Sequence, residues 1–466
     1  MRKAYWYFTA YLRKHGTVVI ISLITGVAFF WFLLPPFIEF LAVSERHHIG
    51  IIGDYSLSDL PPQVSEQLSM GLTRTSEDGS PKPAAAERWT VDQEGTTIRF
   101  VLKKGLIWHD GSPLTPNDIS YTLPQVETIV TPNDIVFKLP AAFAPFATTV
   151  TKPLLKESYI DDFFKKKPSV IGVGEYAIKK YTSTGQRLKE LIIEGKGKQY
   201  IYRFYLTEDD ALTAFKRGEI DQLSGLARTF DLFTWSTVTV DQTLNTSQYL
   251  AVFFNLRNPL FTKNIRQALS YALEKPTNEE RAIGPISRDS WGYLEGGKTY
   301  DQDWTRGSER VLDEIPQQPL AIELTTTNLF VADAEYIKKS WEDFGQKVFD
   351  DCQKSSKIKD KTSCDNTKIS VTIRVNNFPD TSNFQALLTG QKTGSDPDQY
   401  ALWHSSQPTN FTGYKNTRID SLLEKGRQTY DVQERTELYQ EFQQFFLEDP
   451  PAAFIRYLWN YDIARK

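Results

Sequence analysis

A chain of 466 residues, 24% charged and 40% hydrophobic, can bury a large core, and its length favours more than one domain-sized unit. Lys and Arg number 54 against 58 Asp and Glu, a formal charge of −4. That balance lacks the basic excess of a nucleic-acid-binding domain, so no nucleic-acid partner is expected.

The N-terminus differs from everything after it. No charged residue occurs between Gly16 and Ile38, and residues 17–34 (TVVIISLITGVAFFWFLL) are almost wholly apolar. At 1.5 Å rise per residue such a helix reaches roughly 30 Å, the thickness of a bilayer core. Arg2, Lys3, Arg13 and Lys14 precede it and no acid appears before Glu39, which predicts a cytoplasmic segment 1–15, a transmembrane helix 16–38 and an outside linker 39–48. A cleaved signal peptide is the alternative, with a charged n-region but a shorter apolar run and a small-x-small site that PPFIEFLAVSE supplies poorly.

From residue 49 onward strands and helices alternate, with no low-complexity segment and no fixed repeat. Residues 96–103 (TTIRFVLK) put Ile98, Phe100 and Leu102 on one strand face, with Thr97 and Arg99 opposite. After a turn at Asp110-Gly111, Thr115 as N-cap, Pro116 at the first helical position and Asp118 beyond predict a helix start. A strand over 200–206 leads to a helix over 208–221 that buries Leu212 and Phe215 and ends at Gly218. Residues 249–256 (YLAVFFNL) form a continuous apolar strand; the helix from Thr262 carries Ile265, Ala268, Leu269, Ala272 and Leu273 on one stripe. Helices over 418–426 and 433–448 follow, Asp449-Pro450-Pro451 ends the second, and AAFIRYLW is the last strand. Such alternation argues for more than one α/β lobe.

Cys352 and Cys364 are the two cysteines of the chain. Outside the cytoplasm they favour a disulfide closing the polar loop between them, worth about 3 kcal/mol by chain entropy, with free thiols as the alternative. No metal site is expected from two cysteines and the five scattered histidines His15, His47, His48, His109 and His404. No HExxH, CxxC, P-loop or GxSxG sequence occurs. The run from Gly172 to Ala177 touches a relaxed dinucleotide fingerprint but follows no apolar strand. Trp108-His109-Asp110-Gly111 sets a histidine beside a carboxylate, yet adjacent side chains in a turn point apart and no nucleophile is tied to them. Neither catalytic residues nor a cofactor are expected. Aromatic residues make up 13%, a composition that suits binding as well as core packing.

Six stretches resemble the extracellular solute-binding protein family 5, the peptide- and nickel-binding receptors of ABC importers. They are residues 53–74, 84–123 with the H-D-G turn, 172–181, 211–223, 249–275 and 395–426, in the family's order. The resemblance implies an α/β, two-lobed periplasmic-binding-protein-like fold of class II, cluster C, with an extra subdomain in the first lobe. Lobe 1 would take 49–252, lobe 2 253–450, and 451–466 would return to lobe 1, with crossings near 250–255 and 451–455 forming the hinge. It implies a monomer outside the cell membrane, held there by the N-terminal helix, that takes a peptide-like ligand between its lobes for transport by permease and ATPase subunits. Ligand-binding candidates are Tyr55, Phe254, Asn255, Asp396, Asp398, Tyr400 and Trp403. Where many peptide-binding members carry an Asp for the ligand's α-amino group, this chain has Thr393, so Asp396 or Asp398 substitutes or the ligand lacks a free amine. A nickel chelate, haem or oligosaccharide on the same fold is the alternative ligand, and an anchored scaffold or sensor, or an extracytoplasmic hydrolase, the alternative class.

Overall fold

The computed structural model describes residues 2–30, 45–162 and 165–466, which divide into two compact units. One comprises Met1–Pro61, Glu157–Val170 and Glu175–Leu223; the other Pro62–Lys156, Ile171–Gly174 and Ser224–Lys466.

In the first unit a helix covers Arg2–Ala28, with a non-helical residue at His15 (φ −125°, ψ 20°). The expected spanning segment 16–38 therefore enters the described residues only in its first part, because 31–44 lie outside them. Among the described residues no helix is long and apolar enough to cross a membrane. The helix begins with a polar, basic turn, and the apolar run that would complete a span continues into the residues not described. Beyond it, strand Glu45–Ile52 runs parallel to Lys198–Tyr205, which pairs antiparallel with Arg187–Gly195, and that with Ala177–Thr184. Helix Glu208–Arg217 follows for local reasons. The Thr207 side chain accepts from the Asp210 N–H, three acids occupy the first turn, Lys216 and Arg217 the last, and Gly218 takes φ 74°.

The second unit holds two larger sheets and a two-stranded hairpin, Thr73–Thr75 with Pro81–Pro83. The smaller of the two sheets is antiparallel in the order Ala86–Val91, Thr97–Leu102, Asp134–Lys138, Glu127–Val130. Alternation along Thr97–Leu102 buries Ile98, Phe100 and Leu102 against Phe137, Phe146 and Trp108. The helix expected after Thr115 is only a 3₁₀ turn, Pro116–Asp118. The Asp118 carboxylate takes the Thr115 N–H (2.9 Å) and hydroxyl (2.8 Å) and also Lys156 Nζ (3.0 Å), and Ile119 turns extended, so the capping signal closes a turn and nothing propagates it.

In the same unit five strands run Ala452–Arg465, Val238–Phe254, Ala386–Lys392, Leu320–Thr327, Ile369–Asn376. On the central strand Leu250, Val252 and Phe254 enter one core while Tyr249, Ala251 and Phe253 enter another. Helices Lys263–Tyr271 and Val331–Lys354 supply residues to the first core, Thr417–Gln428 and Val432–Glu448 to the second. A strand covered on both faces has no solvent side to mark with polar residues, hence its unbroken apolar sequence. Cys352, in the last turn of Val331–Lys354, and Cys364 are disulfide-bonded, with Cα atoms 5.7 Å apart.

Candidate functional site

The D-P-D segment, residues 396–398, is built by short-range hydrogen bonds. Strand Ala386–Lys392 delivers the chain to Thr393, whose N–H donates to the Ser247 carbonyl at 2.8 Å. Asp396 Oδ1 then accepts from the Asp398 N–H at 3.0 Å, and Asp398 Oδ1 from the Tyr400 N–H at 3.0 Å. Two successive Asp side chains thus turn the backbone, with Pro397 between them, and start the short helix Tyr400–Trp403.

Each carboxylate also meets an arginine from a helix of the second core. Arg435 donates to Asp396 through Nη1 (2.8 Å) and Nη2 (2.7 Å), to the Gly426 carbonyl through Nε (2.7 Å) and to the Tyr439 hydroxyl (3.3 Å). Both side chains are buried, 7% and 9% exposed, so this is a fork-to-fork pair held away from water. Asp398 Oδ2 accepts from Arg427 Nε at 2.8 Å; this pair is more open, and the guanidinium lies 4.0 Å over the Tyr400 ring and 5.2 Å from that of Phe143.

A pocket flanks the segment on each side. The smaller, about 160 Å³, is walled by Trp89, Trp291, Tyr430, Asp396 and Arg435. The larger, about 470 Å³, has Leu123, Val126, Phe143 and Phe146 from the small-sheet region and Tyr400, Glu424 and Arg427 from the helices. Its volume falls in the range of small-ligand sites, and its apolar wall with a few polar groups has their composition. Three contacts hold the two walls together. The Tyr430 hydroxyl donates to the Gly95 carbonyl (2.9 Å) and accepts from the Phe143 N–H (3.3 Å). The Ala144 N–H donates to the Arg427 carbonyl at 2.6 Å. At the hairpin tip, Gly79 sits at φ 84°, where a Cβ would overlap the Ser395 carbonyl, and the Asp78 carbonyl accepts from the Trp291 N–H at 3.2 Å.

The residues expected to bind ligand do not all come together. Asp396 lines the smaller pocket and Tyr400 the larger, while Asp398 reaches the larger only through Arg427, which it holds. Trp403 is fully buried, 4.7 Å from Phe446 and 6.1 Å from Phe253, and Phe254 is fully buried against Phe261 and Trp341. Both are core residues instead: strand alternation turns Phe254 inward, and the end of its short helix turns Trp403 the same way. Asn255 is half-buried; its Oδ1 caps its own turn by accepting from the Arg257 N–H (3.2 Å), and its Nδ2 donates to the Phe384 carbonyl (2.9 Å). Tyr55 belongs to the first unit, half-buried with its ring 5.6 Å from that of Phe204.

Glu424 and Arg427 were absent from the expected set. The available signal is their i, i+3 spacing in LLEKGR, on the side of the helix away from the buried Leu422 and Gly426. Glu424 Oε1 pairs with His404 Nε2 at 3.1 Å, and His404 Nδ1 with Ser406 Oγ at 2.8 Å. His109 is structural. The Gly172 N–H donates to its Nδ1 (3.2 Å), so its Nε2–H faces the Gly174 carbonyl (3.1 Å), and burial holds the imidazole below its ordinary pKa against the opposing pull of Gly174 and Asp110. Among the described residues no group of three His, Cys, Asp or Glu side chains could hold a metal ion.

Comparison with known proteins agrees with this architecture. A family described as bacterial extracellular solute-binding proteins, family 5, matches residues 80–134 and 124–396. The oligopeptide-binding protein AppA of Bacillus subtilis is 24% identical over 477 residues, covering 89% of this chain and 86% of the relative. Its structure, in complex with a nonapeptide, aligns with a TM-score of 0.61 at 18% identity, over 90% of this chain and 94% of that one. NikZ from Campylobacter jejuni, in complex with Ni(L-His), aligns at 0.68 and 18% identity, and the substrate-binding protein CtaP from Listeria monocytogenes at 0.71 and 20%, each over 90% of this chain and 94% of the other. The mixed α/β, periplasmic-binding-protein-like fold is thus shared, while the AppA and NikZ structures hold different ligands.

Proposed function

Since the chain belongs to the bacterial extracellular solute-binding proteins of family 5, we propose that it is the extracytoplasmic receptor of an ABC importer, binding a peptide and handing it to a membrane permease. The observation that carries peptide over other cargo is the alignment with an oligopeptide-binding protein along most of both chains. The larger pocket beside the D-P-D segment supports it, since an apolar cavity with polar groups at its edge suits a side chain attached to a backbone. Calorimetry with peptides of two to nine residues, beside nickel–histidine, haem and oligosaccharides, tests the reading. Heat from a peptide is expected; heat from one of the others alone overturns it.

In this reading the chain changes no bond in its cargo, so peptide recovered after prolonged incubation keeps its mass. Two lobes, 49–252 with 451–466 and 253–450, close about a hinge near 250–255 and 451–455, and the ligand favours closure only by its greater affinity for the closed state. Tyr55 and Asn255 are further candidate contacts. The apolar N-terminal segment tethers a monomer to the membrane from the outside, which keeps it near its permease. Fractionation of cells checks this: full-length chain should stay with membranes after alkaline washing, and a released chain with a new N-terminus would point to a signal peptide.

A further inference from the structure

The larger pocket poses a question of charge that the peptide reading leaves open. A peptide brings an ammonium, and the two aspartates of the D-P-D segment have little to give it. Both oxygens of Asp396 face Arg435, while Asp398 divides its oxygens between Arg427 and the Tyr400 N–H. Thr393 has no charge to offer. Glu424 differs: its Oε1 meets His404, and among the described residues Oε2 accepts no hydrogen bond. Arg427, one turn further along the same helix, already answers Asp398. Helical spacing, i and i+3, brings Glu424 and Arg427 to the same pocket.

We propose that Glu424 receives the α-ammonium of the cargo's first residue and that a bulky apolar side chain of that residue fills the pocket against Leu123, Val126, Phe143 and Phe146. The proposal rests on the peptide-receptor reading and narrows it to peptides with a free amino terminus and a large apolar first residue. The glutamate side chain is 54% exposed, so its attraction is partly screened and belongs at the lower end of charge-assisted hydrogen bonds.

The test uses the full chain and three ligands: Phe-Gly-Gly, N-acetyl-Phe-Gly-Gly and Ser-Gly-Gly. Acetylation is expected to weaken binding about tenfold, and Phe→Ser by a similar factor of about ten. In Glu424→Gln, which keeps an acceptor for His404, the free and acetylated peptides should bind within about twofold of one another. In Val126→Trp, which occupies the pocket, the advantage of Phe over Ser should disappear. The ligand pairs on the wild-type chain stand whether or not a variant folds. Equal affinity for free and acetylated peptide, or an acetylation penalty unchanged in Glu424→Gln, overturns the role of Glu424; no preference for Phe over Ser overturns that of the pocket. If no peptide of any kind binds the wild-type chain while another solute does, the peptide-receptor reading itself falls.

Discussion

The two sides of the D-P-D segment hold similar residues in opposite conditions. On one, Asp396 and Arg435 are buried and satisfy one another, with the Gly426 carbonyl and the Tyr439 hydroxyl completing the guanidinium's partners. On the other, Arg427 and Glu424 line an open pocket, with side chains 28% and 54% exposed, and Asp398, 12% exposed, is paired with Arg427. A buried pair gives up hydration and recovers it only through complete hydrogen bonding, so it cannot release a partner to a ligand without large cost. An open group can. Proximity to the pocket therefore says less about binding than how fully each charge is already answered.

The sharpest way to break this contrast is Arg435→Met. It leaves Asp396 buried without its partner and should lower unfolding free energy by about 3–5 kcal/mol, read by urea denaturation. Adding Asp396→Asn to that variant should restore part of the loss; no recovery would mean that the pair does not act as a unit. Arg427→Met on the open side should cost only about 0.5–1 kcal/mol, and an equal loss at the two positions would erase the distinction drawn here. The smallest effect calibrates both against a half-buried group with hydrogen bonds and no ion pair. Burial depresses the His109 imidazole, so the unfolded chain takes up the proton first. The stabilisation from its neutral form is complete above the ordinary value of about 6.5 and declines as pH falls below it. The melting temperature should drop across that window, and His109→Gln should flatten the drop.

What could be read from the sequence was local. Thr262 announces its helix because a cap needs only the next three residues, and Gly218 marks an end because the left-handed residue there has no side chain to strain. The strand 97–102 declared its buried face by alternation. The site was harder. Arg435 follows Asp396 by 39 positions and Arg427 follows Asp398 by 29, spacings set by helix packing and by no repeating pattern. Nothing in the composition of 249–256 separates a ring that faces a ligand from one in the core, and Tyr249, Phe253 and Phe254 are all buried. Capping residues at Thr115 and Asp118 were present, but the following residues do not extend a helix, and Asp118 answers Lys156 as well.

Gly79 carries a practical consequence. Its missing side chain leaves the room in which the hairpin tip meets the Ser395 carbonyl, and its φ of 84° suits few other residues. The tip and the turn before Asp396 are therefore matched like adjoining pieces of one casting. Anyone grafting this hairpin, or the loop it touches, onto a related scaffold would have to transplant the two together, however far apart they lie along the chain.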